Sequence, residues 1–227
     1  MMLQFDRIGK SSADRISIEI DTLVIAGWAG RDSAAIEHHI EELAAIGVPR
    51  PSTTPLYYRV AAQTLTQADQ LVVLGPDSSG EIEPIVVATV DGLWIGIGSD
   101  HTDRKAEAVG IALSKQLCGK PVGRELWSYT VIEDHWDQLV LRSWATIDGE
   151  RVLYQESAVS SLRTPRDLIR RYAEADTLQP GTLMFCGTPS AIGGIRPAAR
   201  FEMELYDPVL KRSLNHGYAI EALPVVC

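Results

Sequence analysis

Residues 81–104 read EIEPIVVATVDGLWIGIGSDHTDR, with one acidic cluster at each end: Glu81-Ile82-Glu83 first, then Ser99-Asp100-His101-Thr102-Asp103-Arg104. Side chains alternate along a β-strand, so Glu81 and Glu83 project from the same side. Seventeen residues after Glu83, Asp100 closes a glycine-spaced apolar run, Leu93-Trp94-Ile95-Gly96-Ile97-Gly98, which reads as a second strand. Three carboxylates brought together repel one another unless a cation sits between them. Oxygen ligands suit a hard divalent ion: Mg²⁺, Mn²⁺ or Ca²⁺. An E-x-E pair also decorates the solvent face of many edge strands, so spacing leaves both readings open.

The 227 residues can bury one substantial core. A net charge of −9 argues against nucleic acid or an anionic membrane as partner, since both need a basic surface. The opening MMLQFDRIGKSSADRISIEI has no apolar signal-peptide core, and no run is long and apolar enough to span a bilayer. Cys118, Cys186 and Cys227 are scattered without CxxC spacing, which fits neither a disulfide framework nor a zinc site and suits a reducing, cytoplasmic setting.

Working outward, Ile16, Ile18 and Ile20, then Leu23-Val24-Ile25-Ala26, predict strands near the N-terminus. Ile36, Ile40 and Leu43 share a helical face over 33–46, with Asp32 as N-cap and Gly47 as stop. Pro49, Pro51 and Pro55 then force an extended link. That link separates residues 1–55, N-terminal strands with a helix or lid region, from a main domain over 56–227, the two forming one unit. Residues 102–117 read as one helix with Ala106, Val109, Leu113 and Leu117 as its apolar stripe. Residues 138–155 read as a hairpin turning at Asp148-Gly149. Thr164-Pro165-Arg166-Asp167 opens a helix, and Gln179-Pro180-Gly181 is a turn. Strands follow over 183–186, 201–205 and 218–223. Many short strands with few helices make an α+β protein rather than a doubly wound sheet.

Four motifs occur in order: Glu81-Ile82-Glu83; Ser99-Asp100-His101-Thr102-Asp103-Arg104; Ser114-Lys115-Gln116-Leu117; and Pro180-Gly181-Thr182-Leu183-Met184-Phe185-Cys186-Gly187-Thr188-Pro189-Ser190-Ala191-Ile192-Gly193. Together they resemble the fumarylacetoacetate hydrolase superfamily, nearest a bacterial branch with runs such as SDHTDR, SKQ-x-C and MFCGT. The resemblance implies a mixed β-sandwich roll, assembled as a homodimer. It implies Mg²⁺ or Mn²⁺ (Ca²⁺ as the alternative) held by Glu81, Glu83 and Asp100, with Arg104 and Thr188 as substrate contacts. Lys115 matches the catalytic lysine by local sequence, and Lys120 matches it by spacing. A histidine–glutamate dyad falls on His39 and Glu42, at i, i+3 on a helix, or on His38 and Glu41 in the neighbouring register. Asp32, seven before His39, is a candidate fourth ligand as well as a cap. Ser99 stands where the pattern has asparagine, Asp103 where it has alanine and Lys105 where it has an acid, departures that touch substrate contacts more than metal ligands.

The chemistry implied is a divalent-metal-dependent hydrolase that cleaves a C–C bond in a small β-dicarbonyl or acylpyruvate-like acid through a metal-bound enolate. His39, oriented by Glu42, would take a proton from water, while Lys115 and Arg104 offset negative charge. Without the attacking water the same groups suit a lyase, a 2-oxo acid decarboxylase or a hydratase or dehydratase. A binding protein that has lost the chemistry is the remaining alternative. Bland readings stand beside these. Adjacent histidines on an acidic helix are usually solvated. His101 is a support for a metal ligand or a structural hydrogen bond. Gly187–Gly194 lacks the lysine of a P-loop and shapes a pocket wall. Cys186 is buried packing, Cys118 lacks a histidine partner, and His135, Trp136 and His216 serve packing or an interface.

Overall fold

Residues 82–88 are buried without alternation, the pattern of a strand covered on both faces. In the computed structural model this stretch is the strand Ile82–Thr89, in the middle of a sheet. The model describes residues 1–9, 13–45 and 50–226, excepting the side chains of Ala35, His39 and residues 42–45. Among the described residues eight strands form that sheet, in the order Ala13–Glu19, Met2–Ile8, Glu125–Ser128, Gly92–Ser99, Ile82–Thr89, Thr182–Phe185, Thr22–Gly27 and Leu56–Val60. Two neighbouring pairs run parallel, Met2–Ile8 with Glu125–Ser128 and Thr182–Phe185 with Thr22–Gly27; the other pairs are antiparallel.

The large sheet is rolled. Leu56–Val60 is one edge, yet the Gln67 side chain exchanges hydrogen bonds of 3.1 and 2.8 Å with the Gln4 backbone, six strands away. Six inter-strand steps in a flat sheet span about 29 Å. Seven residues reach at most about 25 Å when fully extended, but Ala62–Thr64 is coiled into a 3₁₀ turn that rises only about 2 Å per residue, so even with the Gln67 side chain the link falls short of a flat sheet's width. The concave interior holds Leu3, Phe5, Ile18, Leu23, Ile25, Ile85, Val87 and Phe185.

The opposite face packs on a five-stranded sheet, ordered Glu150–Ala158, Val140–Ile147, Arg200–Asp207, Arg212–Leu223 and Gln70–Leu74. Val86, Ile95, Ile97 and Met184 meet Leu141, Ala145, Phe201, Leu205 and Tyr218 in this second core. The hairpin turn falls at Asp148 (φ 52°) and Gly149 (φ 84°), the paired positive φ of a tight two-residue connection. Thr164 caps the helix Pro165–Ala173 through the Asp167 N–H at 3.2 Å. The mixed β-sandwich roll of the α+β class is present. Among the described residues no helix is long and apolar enough to cross a membrane.

Residues 102–117 differ from expectation. Thr102–Asp103 is a two-residue strand, and two short helices follow, Arg104–Glu107 and Ile111–Leu117, separated at Gly110. The apolar stripe faces solvent, with Val109 81%, Leu113 48% and Leu117 57% exposed. The inward side of the second helix carries Ser114 and Lys115, because acidic side chains wait beneath it. The last strand is longer than expected, Arg212–Leu223, since it pairs residue by residue with Arg200–Asp207. The Gly47 helix stop lies outside the described residues, while the helix itself covers Ser33–Ala45.

Gly80 seats the acidic strand against the second sheet: a Cβ there would lie 2.7 Å from the ring of Phe201, itself 1% exposed. Gly80→Ala should therefore destabilise the fold by about 1–3 kcal/mol. Urea unfolding should show a lower midpoint at unchanged slope, and an unchanged midpoint would mean that the sheets are not in tight contact here.

Candidate metal centre

The hairpin Ile82–Thr89/Gly92–Ser99 builds the centre through its register. Ile82 pairs with Ser99 and Glu83 with Gly98, so the acidic residues stand at the open end of the ladder. The Asp100 N–H donates to the Glu81 carbonyl at 3.0 Å, closing that end. One carboxylate oxygen each from Glu81, Glu83 and Asp100 falls within 4.8 Å of the others. Glu83 and Asp100 are buried; Glu81 is partly open.

Cations from outside the hairpin answer this charge. Lys115 donates to Asp100 Oδ2 and lies 3.8 Å from Glu81 Oε2. Lys120, fully buried, lies 2.9 Å from Asp100 Oδ1 and donates to the His101 carbonyl at 2.6 Å. Arg104 donates through Nε to Ser79 at 2.7 Å, through Nη1 to Glu107 at 3.0 Å, and pairs through Nη2 with Glu81 at 3.0 Å. Glu83 has a neutral partner, the Gly187 N–H at 2.6 Å. Gly187 has φ 97°, and a Cβ there would lie 2.7 Å from that of Ala29, so this amide reaches Glu83 only from a glycine.

These surroundings push the carboxylates apart. Burial, with Asp100 close by, raises Glu83 well above the usual carboxylate range. Burial also acts on Asp100, but Lys115 and Lys120 outweigh it and hold that group at about 2. Against its own desolvation Lys115 is kept protonated by Asp100 and Glu81, and Arg104 by Glu81 and Glu107. Lys120 is close to Asp100 Oδ1 without being aligned for a hydrogen bond, and Oδ1 has no other donor among the described residues. An all-carboxylate set, with one oxygen from each of three side chains within 4.8 Å of the others, fits a hard divalent ion.

A polar scaffold fixes the cluster from behind. The Tyr218 hydroxyl donates to Ser99 Oγ at 2.8 Å, so it accepts from His101 Nδ1–H at 2.9 Å, and His101 Nε2 accepts from Ser78 at 2.9 Å. Burial, followed by Lys120 and Arg104, depresses His101 to about 3, leaving a neutral ring. Ser99 Oγ also accepts from the Glu81 N–H at 3.2 Å. Gln155 ties the acidic strand to the glycine-rich loop. Its Oε1 accepts from Ile82 N–H (3.1 Å) and Ser143 (3.0 Å), and its Nε2 donates to Thr188 Oγ1 (2.8 Å) and the Pro189 carbonyl (2.6 Å). Sequence reading missed Gln155, Tyr218, Ser79 and Glu107, because nothing local marks them.

Glu81, Glu83, Asp100, Arg104, Lys115 and Lys120 thus converge, with Thr188 half-buried beside Gly187. Both candidate lysines meet Asp100, one at each oxygen. His39 and Glu42 lie on the helix Ser33–Ala45, with side chains outside the described ones. His38 is exposed on that helix. Asp32 accepts from the Ala34 N–H at 2.9 Å at the helix start. Burial lifts both described thiols, Cys118 to about 11 and Cys186 further, so neither is a thiolate at neutral pH. His135 pairs with Asp207 at 3.1 Å.

A model of the family described as "Protein of unknown function (DUF2848)" matches residues 26–218. No curated protein matches the chain by sequence. Solved structures share its fold. Cg1458 with inhibitor superposes with a TM-score of 0.65 at 19% identity, covering 93% of this chain and 81% of that one. A 2-keto-3-deoxy-D-arabinonate dehydratase complexed with magnesium and 2,5-dioxopentanoate gives 0.62 at 16%, covering 93% and 78%. Yeast ynq8, a fumarylacetoacetate hydrolase family protein, gives 0.59 at 14%, covering 91% and 95%. At these identities the likeness shows the fold, which is of the fumarylacetoacetate hydrolase type.

The two buried carboxylates should respond oppositely to neutralisation. In chelator at pH 7, Asp100→Asn strands two buried ammonium groups and should cost about 3–5 kcal/mol. Glu83→Gln removes a poorly compensated charge and should stabilise by about 1–3 kcal/mol. Because folding raises the Glu83 value, wild type loses stability as pH climbs from 4.5 through that raised value. The glutamine variant should lack that slope. Denaturation midpoints moving the same way in both variants would refute this charge assignment.

Proposed function

We propose that this chain, which belongs to the DUF2848 family and has the fumarylacetoacetate hydrolase fold, is a divalent-metal-dependent enzyme acting on a small 2-oxo or 1,3-dicarbonyl acid by stabilising its enolate. The observation that carries the reading is the cluster of Glu81, Glu83 and Asp100, with one carboxylate oxygen from each within 4.8 Å of the others and two of the three residues buried. These three would hold Mg²⁺ or Mn²⁺, which when bound polarises a carbonyl oxygen as a Lewis acid.

The chain's own groups supply the rest. Lys115, at the edge of the cluster and 5.9 Å over the Tyr58 ring, ion-pairs with a substrate carboxylate. Arg104, with its Nε, Nη1 and Nη2 each held by a partner, fixes Glu81 in orientation. Thr188, anchored by Gln155, offers its hydroxyl to the substrate. His39, with Glu42 three residues along the same helix, takes the proton from an attacking water, which makes the reaction hydrolysis of a C–C bond in a β-dicarbonyl or acylpyruvate-like acid. A lyase is the second reading. It draws support from the shared fold of a dehydratase whose structure contains magnesium and 2,5-dioxopentanoate.

A thermal shift with Mn²⁺, and with Mn²⁺ plus oxalate as enolate mimic, tests the site. Ligand at a hundredfold its Kd should add about 2.7 kcal/mol, with oxalate increasing the shift and Glu83→Gln abolishing it. No shift in either protein would favour the non-catalytic reading. Turnover then separates the two reactions. His39→Ala should cost about 10²–10⁴-fold on acylpyruvates if His39 activates water, whereas unimpaired turnover would point to the lyase.

A further inference from the structure

Four carboxylates, Glu81, Glu83, Asp100 and the Glu107 paired with Arg104, meet three cations, Lys115, Lys120 and Arg104, so side chains alone come within one charge of balance. A divalent ion would add two charges in a place where Asp100 and Lys120 are fully buried. Uncompensated charge in such a place is unfavourable, because water cannot screen it. One resident cation must therefore give way. Arg104 is tied to Ser79 and Glu107 as well as to Glu81. Lys120 has a second tether at the His101 carbonyl, 2.6 Å away, and no exposed surface. Lys115 differs from both. Among the described residues its ammonium has only the carboxylates as hydrogen-bond or ion-pair partners, with the Tyr58 ring 5.9 Å away. It hangs from the seven-residue helix Ile111–Leu117, whose other side, Leu113 and Leu117, is in solvent.

We infer that Lys115 is a displaceable internal cation: its ammonium and the divalent ion contend for the same oxygens of Asp100 and Glu81, and metal loading turns Lys115 out of the cluster. This rests on the metal reading above and deepens it. An ammonium turned out of the carboxylates becomes available to a substrate carboxylate, so metal binds before the acid. Lys120 stays where it is and positions Asp100 throughout. The two lysines that sequence alone leaves as competitors thereby hold different roles.

Mn²⁺ titration followed by electron paramagnetic resonance tests this on the full chain, using wild type, Lys115→Met, Lys115→Gln, Lys120→Gln and Glu83→Gln. Displacement predicts that both Lys115 variants bind Mn²⁺ at least tenfold tighter than wild type, while Lys120→Gln shows no gain. Lys115→Gln retains a donor for Asp100 and serves if the methionine variant does not fold. Lys115 variants that bind like wild type or more weakly would overturn the inference. So would equal tightening in the Lys115 and Lys120 variants, which would mark a general charge effect. In either case loss of binding confined to Glu83→Gln would leave the metal reading standing. Absence of Mn²⁺ binding in wild type and all variants would overturn the metal reading itself, and the inference with it.

Discussion

Three carboxylates held within 4.8 Å of one another, two of them buried, set the terms for the residues around them. Their placement follows from one hairpin register, because the Glu83–Gly98 and Ile82–Ser99 pairs put Asp100 opposite Glu81. Like charges at this separation cannot all ionise without compensation. The surrounding chain supplies it from four places: Arg104 in one short helix, Lys115 in the next, Lys120 from the small ladder beside Leu65, and the Gly187 amide after the strand Thr182–Phe185. That demand also explains the inverted helix Ile111–Leu117. Its polar side faces the protein because the strongest attraction available to it is electrostatic.

The second sheet does more than fill a core. Gln155 on Glu150–Ala158 and Tyr218 on Arg212–Leu223 reach across the sandwich and hold, respectively, the Ile82 amide with the Thr188 loop, and Ser99 with His101. Each such bond contributes about 1 kcal/mol net, but losing one partner leaves a buried polar group at a cost of about 1–3 kcal/mol. The sandwich and the cluster are therefore coupled: a shift between the sheets moves the backbone that carries Glu81.

Much of this was legible in residues 81–104, where the acidic pair, the apolar run and Asp100 predicted adjacent strands and a shared cluster. The Asp148-Gly149 turn and the Thr164 cap were legible for the same reason, since a local conformation demands those residue types. The helix over 102–117 was misread because apolar spacing alone says nothing about which side finds a partner; buried acids reversed its faces. Gln155 and Tyr218 were out of reach. Gln155 lies 73 residues from the Ile82 amide it accepts from, and Tyr218 lies 119 residues from Ser99. No periodicity links positions that only the topology brings together.

The charge pattern also bears on what the cluster is for. Buried ion pairs are weak stabilisers, and apolar residues of similar volume often hold a fold better. Here six charged side chains crowd one end of a hairpin whose neighbouring positions, from Ile85 to Ala88, are fully apolar. Asp100 repays its burial through two ammonium groups, whereas for Glu83 the charge of Lys115 and one backbone N–H do not offset desolvation and the neighbouring Asp100. A scaffold gains nothing from Glu83 in that position. On the metal reading the site would gain, because the same poorly compensated carboxylate that weakens the fold would strengthen the hold on a divalent ion.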